Sequence, residues 1–255
     1  MSQDLEIKTI DASNLDRLGF FCYKSKRKSA GYAAKLAWVR ARLAEGMRLH
    51  ILYEDGVSKG FIEYIPGEFA WRAVHAEGYL FIHCMWVVGK AKGKGYGTRL
   101  LRRCIQDARE GGYIGVAMLA SEQTWLADRR FFEGSGFEVI DSAAPAFSLM
   151  ALQISEGQAP SLPSNWESRI ANFGEELTVI FSDQCPYLAR MKHAVHRAAA
   201  ALGIPSHEVK HSSARDVQNF SPSPYGVYNI TYKGELIASH PVGTDALLEL
   251  MRSRV

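Results

Sequence analysis

The stretch Val87-Val88-Gly89-Lys90-Ala91-Lys92-Gly93-Lys94-Gly95-Tyr96-Gly97 carries an apolar segment straight into closely spaced glycines that open a helix. Upstream, Tyr79 to Val88 is a nearly continuous apolar run rich in β-branched and aromatic residues, the pattern of a buried strand. Downstream, Leu100, Leu101, Cys104, Ile105 and Ala108 share one helical face, with Arg99, Arg102, Arg103 and Asp107 expected opposite. Glycines at such a junction let backbone N–H groups turn toward a ligand, and the new helix places its positive end there. That geometry suits a phosphate or pyrophosphate. Lys90, Lys92 and Lys94 are expected to add mobile positive charge at the rim.

The spacing excludes two common phosphate loops. A Walker A loop needs Gly-Lys followed by Ser or Thr, but here the Gly-Lys pairs precede Ala91 and Gly95. A dinucleotide fingerprint needs its third glycine one residue beyond Gly97 and an acidic residue downstream of an early βαβ unit. A turn without a ligand is the plain alternative, but spaced glycines destabilise a helix start unless something is gained.

Lys92-Gly93-Lys94-Gly95-Tyr96-Gly97 resembles the acetyl-CoA-binding element of the GNAT acetyltransferases, Gln/Arg-x-x-Gly-x-Gly/Ala, with Lys92 in the Gln/Arg position. Phe131-Phe132-Glu133-Gly134-Ser135-Gly136-Phe137 resembles the Phe-Tyr-x-x-x-Gly-Phe ending of that family's fourth helix. It follows a strand at Gly115 to Leu119 and a helix expected from about Trp125. Gly136 would cap that helix and Phe137 would start the next strand. Before the glycine motif the pattern reads as a strand, two helices (the second Tyr32 to Glu45) and strands near Leu49–Tyr53 and Gly60–Ile65. After it come a strand, a helix and two strands. The resemblance implies an α/β (α+β) GNAT domain with a mixed sheet over residues 1–154.

Composition sets bounds. With 255 residues the chain can bury one large core or two small ones, and its formal net charge of +3 argues against dedicated nucleic-acid binding. Lys24-Ser25-Lys26-Arg27-Lys28 reads as a solvated loop. The first ten residues carry Asp4 and Glu6 and lack a signal-peptide core, and no apolar run is long enough to span a bilayer. The four cysteines show neither C-x-x-C nor zinc spacing, so reduced thiols, a cytoplasmic location and no metal are expected.

From 155 to 174 the sequence is Pro/Ser/Gly-rich and reads as a linker. Residues 175–255 then form a second α/β pattern. Strand Leu177–Phe181 runs into Cys185-Pro186-Tyr187-Leu188 and a helix to about Leu202. Next come a strand near Val209, a strand within Tyr225–Tyr232, a turn at Lys233-Gly234, a strand Glu235–Ser239 and a helix from Asp245. Cys185 sits at a strand-to-helix turn, where a helix N-terminus favours the thiolate. This segment is similar to a small thioredoxin or glutaredoxin domain. In that comparison Leu188 replaces the second cysteine, so a self-contained dithiol exchange lacks its resolving thiol, and Pro224 takes the place of the cis-proline. An inert thiol in a scaffold is the plain reading of Cys185. The whole arrangement, with Ile82-His83-Cys84-Met85-Trp86-Val87 leading into the glycine motif, resembles the YoaP-like branch of GNAT proteins.

That resemblance implies acetyl-CoA as cosubstrate and an amine as acceptor. Backbone groups near Met85, Trp86, Val87 and Val88 would bind the pantetheine and polarise the thioester. The amides of Lys92, Gly93, Lys94, Gly95, Tyr96, Gly97 and Thr98 would hold the pyrophosphate. Many members carry a glutamate base on the fourth strand, but Tyr79 to Val88 has no carboxylate. His83 is the titratable group there, with a reference pKa of about 6.5; Glu63 and Glu122 are the runners-up. A lone strand histidine is more often structural. The usual tyrosine acid is replaced by Phe132, and Trp125 stands where many members have a pantetheine-binding asparagine. Three functions follow: an N-acetyltransferase for a small-molecule or peptide amine, an acyl-CoA sensor without catalysis, or a monothiol protein acting through Cys185.

Overall fold

The structure, a computed structural model, describes residues 4–122 and 125–255. In chain order it contains β1 (Leu5–Ile10), α1 (Leu15–Leu18), α2 (Ala30–Ala44), β2 (Arg48–Glu54), β3 (Val57–Pro66), β4 (Tyr79–Val87), α3 (Tyr96–Glu110), β5 (Gly115–Ser121), α4 (Arg129–Glu133), β6 (Glu138–Ala143) and β7 (Phe147–Gln153). There follow α5 (Trp166–Ala171), β8 (Leu177–Phe181), α6 (Leu188–Leu202), β9 (Ser206–Lys210), α7 (Ala214–Phe220), β10 (Tyr228–Tyr232), β11 (Glu235–Ala238) and α8 (Thr244–Met251). The stretch 155–174 contains α5. No helix among the described residues is long and apolar enough to cross a membrane.

Two compact units form. The first contains the chain up to Ser25, Leu36–Ala70 and His75–Leu162; the second contains Lys26–Lys35, Trp71–Val74 and Pro163–Val255. In the first, seven strands lie in the order β1-β2-β3-β4-β5-β7-β6, antiparallel except for the parallel pair β4–β5. The parallel pair explains why both strands read as unbroken apolar runs, since helices must cover such strands on both faces. Leu52, Ile62, Tyr64, Leu80, Ile82 and Met118 pack with Leu100, Leu101, Cys104 and Ala108 of α3 in one core. In the second unit the order is β11-β10-β8-β9, with β8 and β9 parallel and β10 antiparallel to both β8 and β11.

Several expectations are corrected. The helix placed from about Trp125 starts at Arg129, because the Asp128 side chain accepts the Arg130 N–H and caps it there. Trp125 occupies a turn with φ 78° and is 42% exposed. Gln123 and Thr124, which that expectation also bordered, lie outside the described residues. At the other end the glycine cap has its full form. The Gly136 N–H donates to Glu133 O and the Phe137 N–H to Phe132 O, with Gly136 at φ 87° and the Phe137 ring against Phe132. The Ser223–Pro224 peptide is trans, and the cis bond among the described residues is Ala144–Pro145. The trans linkage accompanies a Pro224 carbonyl that accepts the Ala73 N–H.

Asp107, expected on the solvent face of α3, is buried. It accepts from the Tyr64 hydroxyl at 2.5 Å and pairs with Arg48 at 2.7 Å and Arg103 at 2.8 Å. His50 donates or accepts on both sides of this cluster, at Tyr64 Oη (2.8 Å) and Thr9 Oγ1 (3.0 Å). A buried carboxylate is tolerated only when charges and hydrogen bonds surround it. Burial pushes the Asp107 carboxyl up, but the Tyr64 and Arg48 bonds outweigh it and leave it below its usual value. Burial also drives His50 down to about 4, against the attraction of Asp107.

This has a consequence for acid stability. Between a reference pKa of about 6.5 and the folded value, the unfolded chain binds a proton at His50 that the folded chain refuses, so lowering pH favours unfolding. The His50 contribution is complete above about pH 6.5 and is lost as pH falls toward 4; at most it is about 3 kcal/mol. Buried His211 is displaced in the same direction, also to about 4. The thermal midpoint should therefore fall most steeply between pH 6.5 and 4. A His50→Asn variant should be less stable at pH 7.5 yet show a shallower fall, measured by circular dichroism across the series.

Candidate active site

The site begins where two strands part company. β4 and β5 pair in parallel from Tyr79↔Gly115 to Ile82↔Met118 and no further. On its other edge β4 stays paired with β3, but the register shifts there: Tyr64 faces Ile82 while Glu63 faces Cys84, leaving His83 as the extra residue of a bulge. A bulge bends its strand and sharpens its twist. Past Ile82, Cys84 to Val87 pair with β3 alone, while Leu119–Ser121 of β5 keep only the β7 partner that β5 has along its whole length. The sheet thus splays between β4 and β5, and one edge of β4 over Met85–Val87 has no strand beside it.

The glycine loop closes this opening. A single 3₁₀ turn, Gly89–Ala91, leads into extended Lys92, and Gly93 and Gly95 follow with φ of 81° and 75°. A Cβ at either position would meet nothing within 4 Å, so these two are glycines for their dihedral angles and not for space. Gly97 is the opposite case. A Cβ there would lie 3.2 Å from the Phe131 ring and 3.5 Å from the Met85 methyl, so α3 approaches α4 and β4 only because the side chain is absent. Gly95 caps α3 with no side-chain hydrogen bond, and its carbonyl accepts the Arg99 N–H. The first amides of the helix therefore present their dipoles to an anion without competition from a capping oxygen.

Two of the three lysines are not the mobile rim that was expected. Lys92 lies 5.2 Å over the Trp86 ring, which is itself 55% exposed. Lys94 is held by Glu54 of β2, its Nζ donating at 2.8 Å, and the Tyr96 hydroxyl donates to the same carboxylate oxygen. Lys59 stands 3.4 Å from the other oxygen. Lys94 and then Tyr96 hold the Glu54 carboxyl down at about 2, and Glu54 in turn raises both of them above their usual values. Sequence reasoning missed Glu54, because Lys94 and Tyr96, which tie it to the glycine loop, lie about forty positions away.

Two of the three proposed bases come together. Glu63 and His83 are both almost fully buried, Glu63 directly opposite Cys84 and His83 one residue before it. The His83 ring lies 5.8 Å from Trp38 and 6.3 Å from Phe81. Glu122 follows the last residue of β5 and borders a cavity of about 400 Å³. Arg129, Ser121, Ser142, Ser148 and the Ala144-Pro145 turn complete the lining. Phe132 is fully buried between Phe131 and Phe137. Burial pushes the Cys104 thiol well up, and none of the four cysteines is in a disulfide. Cys185, partly exposed, lies in the turn between β8 and α6.

Comparison with known proteins agrees with this geometry. Residues 13–137 match the acetyltransferase (GNAT) family. The chain is 30% identical over 222 residues to the uncharacterized N-acetyltransferase YoaP of Bacillus subtilis, covering 86% of this chain and 87% of that one. It is also 30% identical over 136 residues to an L-methionine sulfoximine/L-methionine sulfone acetyltransferase of Salmonella typhimurium, covering 49% of this chain and 76% of that one. Among solved structures, yncA of Salmonella typhimurium, a putative acetyltransferase with its cofactor acetyl-CoA, superposes with a TM-score of 0.43 at 22% identity. It covers 61% of this chain and 96% of its own. The family match, and a relative aligned across most of both chains, show that this chain belongs to the GNAT family of N-acetyltransferases.

Proposed function

We propose that this enzyme transfers the acetyl group of acetyl-CoA to the amine of a small molecule or peptide by direct attack on the thioester. The observation that carries this reading is the adjacency of two features. The unpaired edge of β4 past Ile82 and the open amides at the start of α3 lie side by side, close enough that a Cβ on Gly97 would stand 3.5 Å from the Met85 methyl. One is suited to an extended chain of amides, the other to a pyrophosphate. In this reading Met85, Trp86, Val87 and Val88 bind the pantetheine through their backbone, and the amides from Lys92 to Thr98 bind the pyrophosphate.

The cavity at the end of β5 is read as the acceptor pocket. Its one acidic and one basic side chain, Glu122 and Arg129, suit a molecule carrying both an ammonium and a carboxylate. The methionine-analogue substrates in the name of the Salmonella relative support an amino-acid-like acceptor. An amine attacks only when neutral, and we assign Glu63 and His83, neighbours at the bulge, to receiving its proton. Phe132 has no proton to give, so the departing thiolate takes one from water.

The first unit's enzymatic domain is read as residues 1–154, the linker as 155–174, and residues 175–255 as a thioredoxin-like domain. Support for the last comes from the element order β8-α6-β9-α7-β10-β11-α8 and a sheet with its first two strands parallel at one edge. Cysteines held as thiols, outside any disulfide, support a cytoplasmic location. Cys185 is assigned no part in acetyl transfer.

Calorimetric titration of the full chain should show acetyl-CoA binding, and Gly97→Val, which drives a branched side chain into Phe131 and Met85, should abolish it. With an acceptor found by screening amines for CoA release, His83→Ala and Glu63→Ala should each lower kcat by about 10²-fold or more. The residue acting as base is identified by loss of the acidic limb of the pH–rate profile; an unchanged profile in either variant removes that residue from the assignment. Cys185→Ser should leave the rate unaltered.

A further inference from the structure

Glu54 has no place in the chemistry just described, yet it is the most heavily engaged carboxylate near the glycine loop. Its side chain is 8% exposed, and its oxygens meet the Lys94 ammonium, the Tyr96 hydroxyl and the Lys59 ammonium. We infer that Glu54 is a positioning residue for the cosubstrate, fixing the pyrophosphate loop in its binding shape from strand β2. This rests on the reading of that loop as the pyrophosphate site.

Gly93 and Gly95 adopt left-handed dihedrals with open space where a side chain would be, so packing at those positions does not hold them. Gly95, at the helix start, has no side-chain cap. The residues on its two sides, Lys94 and Tyr96, are instead tied to one carboxylate, which brackets the left-handed glycine like a cross-link. Glycine-rich chain left to itself loses much conformational freedom on binding; a loop already held in shape loses less and binds more tightly. Charge-assisted bonds to a mostly buried carboxylate are strong enough for this task. The same bonds turn Lys94 toward the protein, so the phosphates are left to backbone amides. Lys94 as a direct phosphate ligand is the competing possibility, and it predicts the opposite outcome when Glu54 is neutralised.

Calorimetric titration of the full-length protein with CoA and, separately, with pantetheine, which lacks the pyrophosphate, separates the two. Wild type should bind CoA far more tightly than pantetheine. Glu54→Gln should weaken CoA binding about 10-fold, the effect of roughly one charge-assisted hydrogen bond, and leave pantetheine binding unchanged. Tyr96→Phe, which keeps the ring and removes only the hydroxyl, should shift CoA binding in the same direction by a smaller factor and serves if Glu54→Gln does not fold. Equal CoA affinity in wild type and both variants overturns the inference. So does tighter binding by Glu54→Gln, which would make Lys94 a phosphate ligand, or an equal loss toward both ligands, which would make Glu54 merely structural. Failure of wild type to bind CoA at all is a different result: it overturns the pyrophosphate reading itself.

Discussion

A backbone that enters a sheet must find partners for its N–H and C=O groups, and this protein is organised around the place where one strand is denied them. β4 is central, paired on both edges as far as Ile82, and then paired on one edge only. An unpaired edge in a protein interior costs about 1–3 kcal/mol for each group left without water or ligand. In the proposed reading that cost is met at a mouth, where the amides of the pantetheine chain complete the ladder. The bulge at His83 makes the departure sharp. It re-aims β4 at the residue where β5 lets go, so opening and curvature arise from one local irregularity.

Opening a sheet weakens it, and the helix beside the opening has to be held by other means. Strand β2 supplies them. With a period of two, Arg48, His50, Leu52 and Glu54 all face α3. The outer members are charged, and Leu52 packs in the core with Leu100 and Leu101. Arg48 and His50 reach Asp107 in the last turn of α3, while Glu54 reaches Lys94 and Tyr96 at its first. The distances agree: six strand steps cover about 20 Å, and the eleven helical steps from Tyr96 to Asp107 about 16 Å. One strand thus grips the helix at both ends, two strands away from the site it steadies.

These long-range grips mark the limit of what the sequence discloses. The glycine motif was legible because the reasons for Gly93 and Gly95 are local, two left-handed dihedral angles, while Gly97 answers to a close approach of Phe131 from α4. The strand before it was legible because a doubly covered parallel strand is apolar throughout. Asp107 was misread because a helical wheel sends every charge outward. Tyr64 and Arg48, on strands far off in sequence, join Arg103 one turn back to make an inward carboxylate tolerable. α7 went unread although its capping box, Ser213 with Asp216, stands in the sequence; at seven residues the helix offers too little periodicity to register. The start of α4 was equally available in the Asp128 cap, but a similarity to longer fourth helices drew it too early. The bulge at His83 leaves no mark at all, since an extra residue in a ladder is visible only against its partner strand.

Phe132 shows how the same packing shapes chemistry. Its ring meets Phe131 edge-on at 5.1 Å and Phe137 at 5.4 Å, with no exposed surface. A hydroxyl at its tip would be a buried polar group in need of a partner inside an aromatic cluster. The position is therefore committed to the core, where it ties α4 to the Gly136 cap and, through Phe131, to the first turn of α3. In the proposed reading that leaves the enzyme with placement as its main resource. Holding amine and thioester together in a fixed orientation is worth several kcal/mol of barrier without any acid, and a thiolate is a good enough leaving group to be protonated afterwards by solvent. A site built this way depends on the exactness of its walls more than on the strength of its catalytic groups, and those walls are the splayed strands and the helix that β2 holds in place.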